Sequence, residues 1–357
     1  MRRSYGVHYF LGSRGSRHFN LTAKTGPLYV DLCRSWLSRA RSVPLSLWVL
    51  SLVPEDILHS ITDLVRSLSH QWREISLGAG VSLSIFPNEG TYPCLERVSL
   101  GSFPPPAHAP MLSFRNAPRL CSVYFPRWTS RIELPWKQIT KFDSGDIDIE
   151  DCLEVLHHLS NLVEVHVRIP IFDSFVPPAD TILLPQLQSL TLGAPYHHEE
   201  DHGPAAQTMP IALLACLKTP ALKTLAFGTT LCNTSVCDMA PVPIILDILL
   251  DCLKATPTVV DLRLQITLHI PNLNPLLVKI TGQSDFLPKL ETLYIALWGE
   301  PPIVDMSLLL TALLWRLCDH NQFFKLIRSH PVYPVLEALA EDFYLGDRTS
   351  EDATSSV

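Results

Sequence analysis

The residues most suggestive of chemistry are the pentapeptide His-Glu-Glu-Asp-His at 198–202. On a helix, the four-residue spacing would put His198 and His202 on one face, where they could bind zinc while Glu199 acted as a general base. Glycine and proline stand close on both sides of the pentapeptide: Gly193, Pro195, Gly203 and Pro204. They limit any helix here to about two turns with no apolar face. We therefore interpret the pentapeptide as an exposed acidic insertion, with a metallohydrolase as the alternative.

Other patterns of catalysis or cofactor binding are weak or missing. The acidic run Asp146, Asp148, Glu150 and Asp151 resembles a calcium loop but lacks its central glycine and closing glutamate. No nucleophile elbow, no phosphate-binding P-loop and no dinucleotide fingerprint occurs in the sequence. The nine cysteines form no CxxC pair, and we expect those at 152, 216, 252 and 318 to be small buried hydrophobes. The sequence predicts a nonenzymatic protein without a metal or cofactor.

A repeated unit indicates the secondary structure that positions these side chains. The unit is Pro-x-Leu-x-x-Leu-x-Leu, in which any large apolar residue can replace leucine. Its first apolar residue, the anchor, begins seven clear copies at Leu95, Leu120, Leu162, Leu187, Leu222, Val259 and Leu290, and weaker copies begin at Trp72 and Ile139. The last two apolar residues of a unit are two apart, so they share one face of a strand. A proline often stands two residues before the anchor, where its missing N–H costs no ladder bond. Each copy therefore predicts one strand.

Segments with helical spacing lie between several of these strands. They are residues 57–68, 150–159, 211–217, 244–253 and 306–317. Because parallel strands need crossovers, we predict an α/β solenoid of the leucine-rich-repeat type, with parallel strands on the concave side and helices on the convex side. The predicted solenoid spans residues 28–343, between a basic, disordered arm at 1–27 and a disordered polar tail at 344–357.

The composition narrows the classes of partner. The chain has 357 residues, 47% hydrophobic and 18% charged, with a net charge of −7. It can bury a large core, but it offers no overall attraction to a phosphate backbone, so we expect no nucleic-acid partner. No apolar run is long and clean enough to span a membrane, so we expect no membrane partner. We expect a cytoplasmic or nuclear protein, with the basic N-terminus leaving a mitochondrial location open.

If the predicted solenoid binds a protein, the side chains between the buried strand residues line its concave surface. Tyrosine, tryptophan and arginine most often dominate the free energy of an interface. The residues expected to bind are Tyr124, His166, Arg168, Arg263, Gln265, Tyr294 and Trp298, with Ser99 and Thr191 beside them.

Several stretches resemble the F-box proteins of mushroom-forming fungi, over roughly residues 28–343. They are Trp36–Arg39, Pro44–Leu47, His70–Leu77, Leu134–Thr140, Cys152–Leu156 and Leu162–Glu164. The resemblance implies an irregular leucine-rich-repeat-like array that holds a target for ubiquitin transfer. It also implies a preceding F-box that docks on a Skp-type linker and a cullin.

No F-box is recognisable before Leu32. Val53–Leu58 imitates the opening of an F-box, and Trp72 imitates its closing tryptophan. However, Pro54 at the start of an ordinary helix explains the same letters. We therefore expect a substrate receptor whose docking module is absent or divergent. The alternative is a free-standing structural or regulatory binding scaffold without a ubiquitin link.

Overall fold

The computed structural model describes fifteen parts of the chain. These are residues 7–11, 26–40, 43–49, 55–78, 81, 83–87, 90–101, 112–127, 132–169, 181–193, 213–229, 243–267, 274–283, 285–298 and 323–328.

The described residues form sixteen strands. They are β1 (Val7–Leu11), β2 (Leu45–Val49), β3 (Trp72–Leu77), β4 (Arg97–Leu100), β5 (Leu112–Ser113), β6 (Ser122–Arg127), β7 (Ile132–Glu133), β8 (Lys141–Asp146), β9 (Glu164–Arg168), β10 (Ile182–Leu183), β11 (Ser189–Gly193), β12 (Leu217–Lys218), β13 (Thr224–Thr229), β14 (Asp261–Thr267), β15 (Thr292–Trp298) and β16 (Phe323–Arg328).

Twelve of these strands make one sheet, in the order β1-β2-β3-β4-β6-β8-β9-β11-β13-β14-β15-β16. Neighbouring strands are parallel, and their order across the sheet is their order along the chain. The short strands pair separately, β5 with β7 and β10 with β12. The protein is therefore an α/β protein built on one large parallel sheet.

Each predicted copy of the repeated unit contains a strand of this sheet, so the strand predictions are confirmed. Three further strands of the large sheet, β1, β2 and β16, lie outside the predicted copies. The strand β1 lies within residues 1–27, where the sequence predicts an arm, and pairs along its whole length with β2. The apolar residues of β1 lie apart from the repeated units, in a segment rich in basic residues. The repeat pattern therefore does not predict this strand.

Five helices are described: α1 (Gly26–Ala40), α2 (Glu55–Ser67), α3 (Ile149–His158), α4 (Pro243–Lys254) and α5 (Asn274–Gly282). The helices expected at 57–68, 150–159 and 244–253 are therefore confirmed. At 211–217 the described part is a single helical turn before β12, and 306–317 lies outside the described residues. Between β3 and β8, the described parts of the connections hold short 3-10 turns, at Leu83–Ile85 and Trp136–Gln138, instead of α-helices.

The core consists of two rows of side chains on one face of the sheet. The first row, in strand order from β2 to β15, is Leu47, Ile75, Val98, Val123, Phe142, Val165, Leu190, Leu225, Leu262 and Leu293. All are at most 4% exposed. Burying such a side chain contributes about 1.5–3 kcal/mol, so these rows dominate the stability of the sheet. The residue between the two rows on each strand points to the opposite face.

A turn of one kind precedes the strands. The backbone N–H of the anchor residue donates to the carbonyl three residues earlier, at 3.0–3.3 Å, at Leu95, Leu120, Ile139, Leu162, Leu187, Leu222, Val259 and Leu290. Side-chain amides link successive turns. Asn161 donates to the carbonyl of Lys137 at 2.6 Å and accepts from Gln186 at 3.3 Å. The turns therefore fix where each strand enters the sheet.

Candidate protein-binding face

The face of the sheet opposite the core carries the predicted site residues. Register pairing puts Tyr124, Asp143, His166 and Thr191 in one row across β6, β8, β9 and β11. The same row continues with Ala226, Arg263 and Tyr294 on β13, β14 and β15. All seven are half-buried or exposed. Predicted residues on five separate strands are thus brought onto one surface, which we call the outer face.

Charged side chains form a ridge on β8 and β9. Lys141 forms an ion pair with Glu164 across the two strands. His166 Nδ1 lies 3.4 Å from Asp143 Oδ1, and these side chains are 47% and 42% exposed. Each acid of the ridge therefore stands beside a lysine or an imidazole on the neighbouring strand.

Arg168 extends this ridge toward β11. Its neighbour in register is Gly193, where a Cβ atom would lie 3.0 Å from Cγ of Arg168. The missing side chain at Gly193 therefore leaves room for the aliphatic part of Arg168.

A second ridge lies on β14 and β15. The Arg263 guanidinium donates to both carboxylate oxygens of Asp261, with Nη2 to Oδ2 at 2.7 Å and Nε to Oδ1 at 3.2 Å. The hydrogen bond with Asp261, followed by its charge, raises the pKa of Arg263. Tyr294 stands opposite Arg263 in register. The ion pair fixes an exposed guanidinium beside an aromatic ring.

Between the two ridges, β11 and β13 carry only small side chains on the outer face. They are Ser189, Thr191, Gly193, Thr224, Ala226 and Gly228. We call this two-strand region the smooth strip. With strands about 4.8 Å apart, it makes a shallow depression about 10 Å wide between longer side chains. Sequence reasoning noted Thr191 alone, because small residues give no signal until the register places them side by side.

The structure describes only some of the remaining predicted residues. Tyr124 lies on β6 beside Asp143 and is half-buried. Gln265 and Trp298 lie on β14 and β15, but their side chains are outside the described residues, as is the pentapeptide 198–202. Of the F-box-like residues, 55–58 lie on α2 and Trp72 lies on β3, whereas Val53 and Pro54 lie outside the described residues. Trp72 is fully buried, and its Nε1 donates to the carbonyl of Val65 at 3.2 Å, which ties β3 to α2.

The side chains of the outer face are poorly suited to catalysis. Asp143, His166 and Thr191 are consecutive in one row, an order reminiscent of a charge-paired nucleophile, yet the acid and the imidazole are both open to solvent. Within the described residues, no three His, Cys, Asp or Glu side chains cluster closely enough to hold a metal ion. What the face offers is a set of fixed polar and aromatic contacts.

The described cysteines behave differently from reactive thiols. Cys152 is fully buried, and this burial raises its pKa to about 12. Burial also raises the pKa of Cys216, and that of half-buried Cys252 to about 11. Thiolates are the reactive form, so these three residues suit packing. Cys318 lies outside the described residues.

Comparisons with known proteins leave the family open. No family model matches the chain, and no curated protein matches it significantly. Among solved structures, the chain is similar to a protein from Bacteroides fragilis determined by a structural genomics consortium. The two are 12% identical, with a TM-score of 0.35, over 87% of this chain and 73% of that one. None of the helices in the described residues has the length and hydrophobicity needed to cross a bilayer.

Proposed function

We propose that the protein is a nonenzymatic binding protein with a leucine-rich-repeat-like solenoid architecture, whose outer face holds a protein target. The architecture is supported by the strands that pair in chain order and by the turn that recurs before each anchor residue. In such an array each unit contacts its neighbours only, and the strand face becomes one continuous binding surface. In this proposal the outer face is the concave side.

The observation that carries this proposal is the smooth strip between two ridges. A depression two strands wide admits an extended segment of a partner, while the ridges supply contacts on both sides. On one side stand His166 and Arg168, and on the other stand Arg263 and Tyr294. Because Asp261 already holds the Arg263 guanidinium, binding loses less side-chain entropy there than at a free arginine.

The expected energetics follow from these residue types. Arginine and tyrosine at a packed centre can each cost 2 kcal/mol or more when truncated, whereas most surrounding contacts cost little. The Lys141–Glu164 pair is solvent-exposed and contributes about 0–1 kcal/mol at most. We therefore expect Arg263 and Tyr294 to dominate affinity, with the β8–β9 ridge selecting among partners.

Filling the smooth strip tests the proposal. We would capture partners from a fungal lysate with the full-length chain, and compare it with a Thr191→Arg, Ala226→Arg variant. The two arginines occupy the strip without touching the core, so the specific partner should be lost at least tenfold. The control is Ser160→Arg, which adds a cation at an exposed turn away from the outer face. Equal capture by all three proteins would show that the outer face is not the binding surface.

Within this proposal, the resemblance to fungal F-box proteins suggests a ubiquitin-ligase substrate receptor. A Skp-type linker and a cullin recovered with the wild-type chain would support that role. Their recovery should survive the Thr191→Arg, Ala226→Arg substitutions, because a docking module is separate from the outer face. If the outer face retains a target and no linker is recovered, the protein is a free-standing binding scaffold without a ubiquitin link.

A further inference from the structure

The first helix carries a second apolar face. Leu28, Leu32 and Trp36 are spaced four apart, so they share one side of α1, and they are 69%, 43% and 44% exposed. The core side of the same helix is formed by Val30, Cys33 and Leu37, all buried. Six large hydrophobic residues are exposed in the described chain, and four of them, these three and Val43, lie at this end.

The central helix α3 lacks such a second face. Its buried side is apolar, while its exposed positions are Glu150, Glu154, His157 and His158. A polar outer side is what an ordinary surface helix has. The stripe Leu28–Leu32–Trp36 is therefore not explained by packing within the described chain.

The same end of the molecule presents an open strand edge. Among the described strands, β1 pairs only with β2, which leaves its other edge of backbone N–H and C=O groups without a strand partner. Edge strands are usually protected by lysine, other charges or proline, and the β1 sequence Val-His-Tyr-Phe-Leu contains no lysine, acidic residue or proline. Since α1 connects β1 to β2, the open edge and the apolar stripe lie at the same end.

We propose that this end is a self-association surface, on which two copies of the chain join about a two-fold axis. In this dimer β1 pairs antiparallel with the partner's β1, and α1 packs against the partner's α1. A two-fold interface must be complementary to itself. An open strand edge meets this requirement, because one edge can hydrogen-bond to a second, reversed copy.

The layer spacing fits both contacts at once. A crossover helix packs over the two strands that it connects, so α1 lies about one strand spacing from the two-fold axis. With strands about 4.8 Å apart, the two α1 axes would stand about 10 Å apart. Packed helices are separated by about 8–10 Å. Pairing of the edges therefore brings the two stripes into contact without bending either layer.

The stripe is also symmetric about its central residue. Leu28 and Trp36 are equally far from Leu32, so an antiparallel partner centred on Leu32 places each tryptophan against the other copy's Leu28. A large side chain then meets a smaller one at both ends of the contact. In this register Asp31 is level with Cys33 of the other copy and Arg34 is level with Val30, so these charged residues of α1 face no like charge.

The available area requires both features. The three side chains expose on the order of 300 Å², judged from the area that large apolar and aromatic residues bury. A stable interface needs about 800 Å² from each partner. The stripe alone is too small, so the interface also needs the adjacent edge of β1 and Val43. This favours a second copy, which brings its own edge, over a single helix from another protein.

Sedimentation of the full-length chain tests the dimer. The wild-type chain should sediment at twice the 40.0 kDa of one copy at micromolar concentration. Leu32→Glu puts two charges on the axis and should weaken dimerisation at least tenfold. The matched control is Leu183→Glu, at a 59% exposed leucine on β10, which should leave the dimer unchanged. A monomeric wild-type chain at 100 µM, or equal loss in both variants, would overturn the proposal.

A second variant makes the test independent of charge. In the proposed register the two Leu32 side chains face each other, so Leu32→Cys should be crosslinked to its symmetry mate by a short bis-maleimide reagent. Leu183→Cys should give only the wild-type background from the native cysteines. Failure of Leu32→Cys to form a covalent dimer would contradict the register. Because the outer face lies on the other side of the sheet, loss of the dimer and loss of target capture are separate results.

Discussion

A buried serine interrupts the core of the central sheet. Ser144 lies in register between Phe125 and Val167, at a position where the other strands carry large apolar residues. It is 0% exposed, and its hydroxyl has no hydrogen-bond partner within the described residues. The ladder also shifts register between Ser144 and Asp146. Burying a hydroxyl without a partner costs about 1–3 kcal/mol, so this residue destabilises the sheet.

Ser144→Ala should therefore raise the free energy of unfolding by about 1 kcal/mol in urea denaturation. The substitution removes the unpaired hydroxyl and leaves the backbone unchanged. Ser99→Ala, on the half-buried outer face of β4, is the control and should change stability by less than about 0.5 kcal/mol. A loss of stability in Ser144→Ala would mean that the hydroxyl has a partner.

The carboxyl group of Asp151 should make stability depend on pH. Burial, followed by repulsion from Asp148, Glu154 and Glu150, raises its pKa above the usual value. A carboxyl with a folded pKa above the unfolded one opposes folding when ionised, and this penalty disappears as pH falls below the unfolded pKa. Asp151→Asn should thus be more stable than wild type at pH 7, with the difference shrinking toward pH 4.

Thermal midpoints across that pH range would measure this effect. Asp285→Asn removes one carboxylate at an exposed position and controls for the change in net charge. If both variants shift the midpoint equally, the effect belongs to the whole molecule's charge and the explanation at Asp151 is wrong.

At the scale of elements, most strands of the large sheet were predictable, whereas among the connections only the helices α2, α3 and α4 were. The spacing of Leu187, Leu190 and Leu192 predicts a turn followed by a strand, because apolar residues two apart share one buried face of a strand. The connections between β3 and β8 have no such period. The Trp136–Gln138 turn is also tied to the preceding turn, because the side-chain amide of Gln138 donates to the carbonyls of Ala117 and Leu120, and this contact is not local.

The candidate site was also predictable only in part. Alternation along each strand predicted that His166 and Arg263 face away from the core. It did not predict the smooth strip, because only the register between β11 and β13 shows that Thr191 lies beside Ala226. Nor did it predict that Asp261 fixes Arg263, since that depends on side-chain geometry.

The amide ladder between turns offers a test at this scale. Asn161 bonds to the turn before β8 and to the turn before β11, and so joins three successive turns. Asn161→Ala removes both bonds and should lower the free energy of unfolding by about 1 kcal/mol. Gln188→Ala, at an exposed neighbouring position, should change it by less than about 0.5 kcal/mol. Equal effects of the two substitutions would show that the ladder does not stabilise the turns.

At the scale of the whole molecule, the sheet order makes stability depend on position. Every strand of the large sheet pairs only with its predecessor and its successor, so the interior strands β9 and β11 have two neighbours while β16 has one among the described strands. Opening β16 breaks a single ladder, whereas opening β9 breaks two. At the β16 end of the sheet, local opening should therefore begin at β16 and pass inward through β15 and β14.

Native-state hydrogen exchange should reveal this gradient. Among amides that donate within the sheet, protection should be greatest on β9 and β11 and should fall stepwise through β14 and β15 to β16, because opening free energies range from near zero at frayed ends to the global value in the core. Val165 and Leu293 are both row residues at most 4% exposed, and they lie at different distances from the β16 edge. Leu293→Ala should increase exchange on β15 and β16 far more than on β9, whereas Val165→Ala should increase exchange on both sides of β9. Uniform protection along the sheet, or a uniform response to both substitutions, would mean that the sheet opens as a single cooperative unit.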